Sequence, residues 1–136
     1  MPLNFVPRPG TLLICDFDTG FRPPEMVKKR PVVVISPRRR RGNALCTVVP
    51  LSTTPPRPVE PFHHRMDARS LPGSYAMKET WAKCDLVATV ARDRLDRVLI
   101  RENQSERREY VAMRITAEDL AAIRRGVAIA LGLGDV

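Results

Sequence analysis

A chain of 136 residues that is 43% apolar and 28% charged has the length and composition of one folded domain, spanning 1–136, and excludes wholesale disorder. Its formal charge of +8 and pI near 10.2 point to a polyanionic partner, nucleic acid first. No apolar run reaches the length of a membrane span, and the start from Met1 to Asn4 lacks a charged leader and an apolar core, so the expected location is the cytoplasm, with no membrane partner.

Phe5 to Gly10 is a lead-in punctuated by proline and glycine, and Thr11 to Phe17 reads as the first strand. Asp18 to Val27 contains Gly20 and Pro23-Pro24, so it is a loop, with Glu25 near its far end. Lys28, Lys29 and Arg30 then lead through Pro31 into Val32, Val33, Val34 and Ile35. That β-branched run is too short for a helix and predicts a strand buried on both faces, with Pro31 as its first residue and Arg30 at its mouth. Pro37 to Asn43, with Arg38, Arg39, Arg40 and Arg41 in succession, is a basic loop. Leu45 to Ser52 is a further strand, stopped by Thr53-Thr54-Pro55-Pro56.

Beyond it, Val59 to His63 is expected as a short edge strand, because Pro58 and Pro61 bar it from the middle of a sheet. Trp81 to Leu86 alternates as a strand does, and Val87 to Leu95 reads as a turn or short helix. Val98 to Ile100 is a short strand, Asn103 to Glu109 a polar connector, and Tyr110 to Ile115 the last strand. The period then changes. Leu120, Ile123, Val127 and Leu131 fall on one helical face over Ala117 to Leu131, with Thr116 as N-cap, Glu118 and Asp119 in the first turn, and Gly132 as the C-terminal stop. Gly126 inside that helix marks close packing. The expected fold is mainly β: about six short strands in a curved sheet or barrel, with one C-terminal helix.

Cys15, Cys46 and Cys84 form no CxxC pair and lie in or beside apolar runs, which predicts buried, reduced thiols. His63 and His64 have no cysteine or carboxylate at ligand spacing, so neither a metal site nor a cofactor is expected. A strong positive charge without a metal site suits RNA cleavage by the RNA's own 2′-hydroxyl. That reaction asks the protein for a base, an acid and donors to the charged phosphorane. Arg30 offers a guanidinium fork to phosphate oxygens. Ser52, Thr53 and Thr54 offer hydroxyls at a strand end. Lys83 and Asp85, two apart, would share a face of a strand and supply an acid and a base. Taken singly, each of these features also has a plain structural reading: a solvated cation, a strand stop, a surface ion pair.

In order, however, these residues resemble the PemK/MazF family of bacterial toxins. The resemblance is carried by Pro9-Gly10 before a strand ending Asp16-Phe17, by Glu25, and by Lys29-Arg30-Pro31 with Val32 to Ser36. It continues through Val48-Val49-Pro50-Leu51-Ser52-Thr53, Lys83-Cys84-Asp85 and the terminal Leu131-Gly132-Leu133. It implies an SH3-like β-barrel of the MazF/CcdB/PemK type with a C-terminal α-helix, forming a homodimer. It implies a metal-independent endoribonuclease that cuts single-stranded RNA, mRNA included, and is held in check by a cognate antitoxin. DNA would be met only through that antitoxin. The matching positions imply catalytic roles for Arg30 and for Ser52 or Thr53, and for Lys83 and Asp85 as acid and base. Glu25, Lys28, Lys29, Arg38, Arg39, Arg40, Arg41 and Thr54 are the expected RNA contacts.

Three departures from the family pattern stand out. Ser52 replaces a threonine, Lys83 replaces an arginine and so loses the planar fork, and the histidine of the family's first long loop has no counterpart between Asp18 and Arg30. Two other readings compete: a toxin of the same fold that binds DNA gyrase without cutting RNA, as CcdB does, and a basic SH3-like nucleic-acid-binding module without chemistry.

Overall fold

The structure, a computed structural model, describes residues 3–38, 42–102 and 108–134. Arg39, Arg40 and Arg41, and most of the expected connector at 103–107, lie outside the described residues. The strands are β1 (Thr11–Asp16), β2 (Lys29–Val34), β3 (Leu45–Ser52), β4 (His63–Arg65), β5 (Trp81–Lys83), β6 (Ala88–Ala91), β7 (Leu95–Asp96), β8 (Val98–Glu102), β9 (Arg108–Val111) and β10 (Met113–Arg114). One helix, α1 (Ala117–Ala130), follows them. The main sheet runs β10–β1–β2–β3–β5–β4, with β6 also paired to β3 and β7 to β1, while β8 and β9 form a separate hairpin. All the pairs are antiparallel. The chain therefore has the expected mainly β class with a C-terminal helix, but among the described residues the strand path is open and not a closed barrel.

The β-branched run behaves as its composition predicts. Val33 packs in a cluster with Leu12, Val49, Leu51, Ala82 and Ile123, on the side of α1. Val32 and Val34 point the other way, into a second cluster with Leu13, Cys15, Phe17, Val48 and Leu95. All three valines are fully buried, so β2 is a central strand covered on both faces. Pro31 is its third residue and not its first. Val34 O accepts from Gly10 N on the β1 side, and Ile35 N donates to Thr47 O on the β3 side. By alternation Pro31 faces β3, where the missing N–H removes one bond near the end of that ladder.

Pro50 explains itself in a similar way. Leu45 to Val48 pair with β6, and Leu51 and Ser52 pair with β5. Pro50 sits where β3 changes partners, a place with no ladder bond for it to break.

Several expected elements are shorter than the sequence pattern suggests. The edge strand is His63–Arg65, not Val59 to His63. A turn precedes it, in which His63 N donates to Glu60 O and Glu60 N donates back to His63 Nδ1. The strand at Trp81 ends at Lys83, and Cys84–Leu86 is a 3₁₀ turn. Ala88–Ala91 is a strand where a turn or short helix is expected, with only Arg92–Arg94 forming a 3₁₀ turn. Its Val90 is buried, and Thr89 meets Thr47 across the ladder, hydroxyl to hydroxyl at 2.8 Å. Tyr110 to Ile115 divides in two: β9 pairs with β8, and β10 pairs with β1.

The helix starts and stops as its end residues dictate. Thr116 Oγ1 accepts from Asp119 N at 3.1 Å. At the other end Leu133 N donates to Ala128 O and Gly132 N to Ile129 O, with Gly132 at φ +68°, a Schellman stop. Leu120, Ile123 and Val127 pack on the sheet, whereas Leu131 lies past the last helical residue and is 56% exposed, so it leaves the expected apolar face.

Gly126 is a true close approach. A Cβ there would stand 2.7 Å from Cys84 Sγ and 2.8 Å from Phe62 O. Gly126→Ala gains up to about 1 kcal/mol of helix propensity and loses about 1–3 kcal/mol to overpacking against a backbone oxygen that cannot step aside. Net destabilisation in urea melts is the expected result. All three cysteines are buried free thiols, and burial pushes Cys15 and Cys84 up to about 12, so both are fully protonated.

Candidate functional site

The β2–β3 register pairs Val32 with Pro50 and Val33 with Val49. Continued by two residues, it sets Arg30 opposite Ser52. Ser52 in turn pairs with Trp81 on β5, and Trp81 with Arg65 on β4. One step along, Lys83 pairs with His63. Side chains alternate along strands and align across them. Arg30, Ser52, Trp81, Lys83 and His63 therefore project from the same face of the sheet, opposite to α1. The face is fixed by Leu51 and Ala82, which pair with each other and are buried on the helix side.

Each group is held by its surroundings. Arg30 is half-buried, and its Nε donates to Val27 O at 3.2 Å. That bond anchors the base of the guanidinium and leaves its two terminal nitrogens without a hydrogen-bond partner among the described residues. Ser52 Oγ accepts from Thr54 N at 3.1 Å, so a tight turn beyond β3 holds the hydroxyl at the strand end. Thr53 and Thr54 are exposed beside it.

Lys83 and Asp85 do not share a strand face, because the chain turns at Cys84. His63 stands between them, paired with Lys83 across the β4–β5 ladder and with its ring near Asp85. Its Nδ1 accepts from Glu60 N at 2.9 Å, which requires that the ring carry its proton on Nε2. Nε2 points at Asp85 Oδ1, 4.0 Å away, and the imidazole is only 8% exposed. Asp85 itself is partly open to solvent. It lines a cleft of about 170 Å³ with Phe17, Phe21, Glu25, Met26, Leu86 and Val87.

The other expected contacts are scattered. Glu25 lines that cleft too, but its Oε2 accepts from Arg22 N at 3.1 Å and so serves its own loop. Lys28 is exposed with φ +71°, and its O accepts from Phe17 N. Lys29 alternates to the other face of β2 and lines a separate cleft of about 550 Å³ with Asp16, Asp93, Arg94 and Tyr110. Arg38 lies four residues beyond Val34, at the end of β2 opposite to Arg30, and its Nε donates to Val6 O at 3.0 Å. The described part of the arginine loop is thus at the opposite end of the β2–β3 hairpin from Arg30 and Ser52. Among the described residues no group of three or more His, Cys, Asp or Glu is arranged to hold a metal ion. None of the described helices is long and apolar enough to cross a membrane.

A face with a guanidinium, a hydroxyl, an ammonium and an imidazole, and with the Asp85 carboxylate 4.0 Å from that imidazole, can bind a phosphodiester and move protons around it. The family model described as "PemK-like, MazF-like toxin of type II toxin-antitoxin system" matches residues 8–131. The chain belongs to the PemK/MazF toxin family. It is 36% identical over 118 residues to YifN of Escherichia coli (strain K12), an alignment covering 71% of this chain and 76% of YifN. Its fold is shared with an endoribonuclease solved in complex with its cognate antitoxin from a mycobacterial species, at 22% identity and a TM-score of 0.61, covering 93% of this chain and 96% of that one. It is shared also with MazF from Deinococcus radiodurans, at 21% identity and a TM-score of 0.62, covering 95% and 99%.

Sequence reasoning about this family member passed over His63. Considered as a metal ligand it has no partners at ligand spacing, and its only other sequence cue is its place at the end of the expected edge strand Val59 to His63. His64 was missed too. It points to the opposite face, and its Nε2 is 2.7 Å from Asp119 Oδ1 on α1.

Proposed function

We propose that this PemK/MazF family member is a metal-independent endoribonuclease toxin that cuts single-stranded RNA, mRNA included, and so halts translation and growth. The reading is supported by the β2–β3 register, which pairs Val32 with Pro50 and, extended by two residues, brings Arg30 beside Ser52 on the face that also bears Lys83 and His63. In this reading the substrate's 2′-hydroxyl attacks the adjacent phosphorus. Asp85 takes the hydroxyl proton as general base, with the Nε2–H of His63 facing its carboxylate. The P–O5′ bond breaks, and Lys83 protonates the departing 5′-oxygen or screens its charge. The products are a 2′,3′-cyclic phosphate and a 5′-hydroxyl.

Arg30 stabilises the phosphorane through its two terminal nitrogens. Ser52 donates its hydroxyl proton to a phosphate oxygen while its lone pair accepts from Thr54 N, and Thr53 stands beside it as a second donor. The active form is a homodimer, and a cognate antitoxin, such as the one seen with the mycobacterial endoribonuclease, restrains it. DNA is reached only through that antitoxin.

The deciding experiment is incubation of the purified, antitoxin-free protein with a long single-stranded RNA in EDTA, followed by mapping of the cut ends. Discrete cuts that leave cyclic phosphate and 5′-hydroxyl ends are the expected result, and they also give the cleavage sequence. Intact RNA from a folded sample would overturn the reading in favour of a gyrase-binding or binding-only protein.

A further inference from the structure

Trp81 is the chain's only tryptophan, and it packs into neither apolar cluster. A side chain that large normally earns its place in a core or at a contact surface. It stands on β5 between its register partners Ser52 and Arg65, on the face away from α1. Its Nε1–H donates to Glu79 Oε1 at 2.8 Å, which holds the indole by its polar edge. Arg65 is exposed and has no ion pair among the described residues.

With Arg30 opposite Ser52, four adjacent strands present a guanidinium, a hydroxyl, an indole and a second guanidinium in one row. Neighbouring strands lie about 4.8 Å apart, so the indole begins one strand beyond the hydroxyl proposed to meet the scissile phosphate. A row that alternates phosphate-binding cations with an aromatic plate matches single-stranded nucleic acid, whose phosphates pair with arginines while its bases stack on rings.

Resting on the ribonuclease reading above, we propose that Trp81 is a stacking platform for an RNA base flanking the scissile phosphate, with Arg65 on the backbone phosphate beyond it. The ring selects for an unpaired base, since a base in a duplex has no free face, and it accepts any base. Sequence preference at this position therefore comes from other contacts.

The solitary tryptophan makes the test direct. The antitoxin-free protein is titrated with a 2′-O-methyl oligoribonucleotide of the cleaved sequence, which has no attacking hydroxyl, while tryptophan emission and oligonucleotide anisotropy are followed together. Binding should quench the emission. An abasic spacer at one flanking position should remove most of the quench, and Trp81→Ala should weaken binding about tenfold, with Trp81→Phe retaining part of the affinity. If Trp81→Ala fails to fold, the abasic titration of the wild type decides alone. Wild-type protein that cleaves and binds RNA with no change in emission, and with no loss from the abasic spacer, would overturn the platform and leave the ribonuclease reading standing. Wild-type protein that neither cuts nor binds RNA would overturn both.

Discussion

Arg30→Ala is expected to lower RNA cleavage by about a thousandfold or more while the protein stays folded. Loss of one preorganised donor to a developing oxyanion costs about a hundred- to a thousandfold in kcat. A guanidinium that faces a transferring phosphoryl group is worth up to about 10⁵-fold. Arg30 has the posture for such a role. Its Nε is held by Val27 O at 3.2 Å, and its Cα is fixed by pairing with Cys15 in the rigid β1–β2 ladder. Little rotamer freedom is then left to be lost when phosphate binds. The structural loss is small, one half-buried hydrogen bond worth about 1 kcal/mol, so the melting temperature should fall by only a few degrees. Arg30→Lys should rescue little, because an ammonium keeps the charge but not the two parallel donors. Single-turnover rates on a short fluorogenic RNA, with circular dichroism on the same samples, are the check. A folded Arg30→Ala protein that cleaves within tenfold of wild type would remove Arg30 from the mechanism.

The parts of this fold that could be read from the sequence are those set by local rules. Three consecutive valines can bury both faces only in a central strand, and β2 divides them between two clusters. Thr116, Gly132 and the 3.6-residue spacing likewise define α1, because helix ends are settled by nearby backbone groups. What could not be read depends on which strands meet. Lys83 and Asp85 fit an alternating pattern, but Cys84 turns the chain so that its thiol packs against Gly126 of α1, a contact more than forty residues distant. Ala88–Ala91 is too short to declare itself and becomes a strand because β3 offers it an edge. Arg30 and Ser52 lie 22 residues apart in the chain, and only the β2–β3 register, extended two residues past Val32 and Pro50, brings them side by side. His63 gains a role only through its pairing with Lys83 and its approach to Asp85.

Asp119→Ala is expected to cost about 3–4 kcal/mol of stability. Asp119 is 4% exposed and collects donors from three directions. Ser70 Oγ donates to its Oδ2 at 2.5 Å, Asp67 N to the same oxygen at 3.0 Å, and His64 Nε2 lies 2.7 Å from Oδ1. Ser70 Oγ in turn accepts from Thr116 N at 2.9 Å. One carboxylate thus ties the first turn of α1 to β4 and to the segment around Asp67 and Ser70. Alanine would strand these donors in a site with little access to water, and leaving them unmet costs more than the bonds contribute when made.

Asp119→Asn separates geometry from charge. Its oxygen can still accept from Asp67 N and Ser70 Oγ, and its amide can donate to His64 if the ring takes the other tautomer. The expected loss is then only about 1 kcal/mol, chiefly the interaction of the charge with the N-terminal dipole of α1. Urea unfolding of the three proteins tests the pair. Equal losses for Ala and Asn would mean that charge holds the helix, whereas a small loss for both would mean that the clamp contributes little. The consequence reaches the opposite face of the sheet. His64 and His63 are adjacent on the short edge strand β4, so the contact that pins His64 to the helix also sets where the His63 ring stands beside Asp85. Asp119→Ala should therefore lower RNA cleavage even at temperatures where most of the protein is folded, and Asp119→Asn should not.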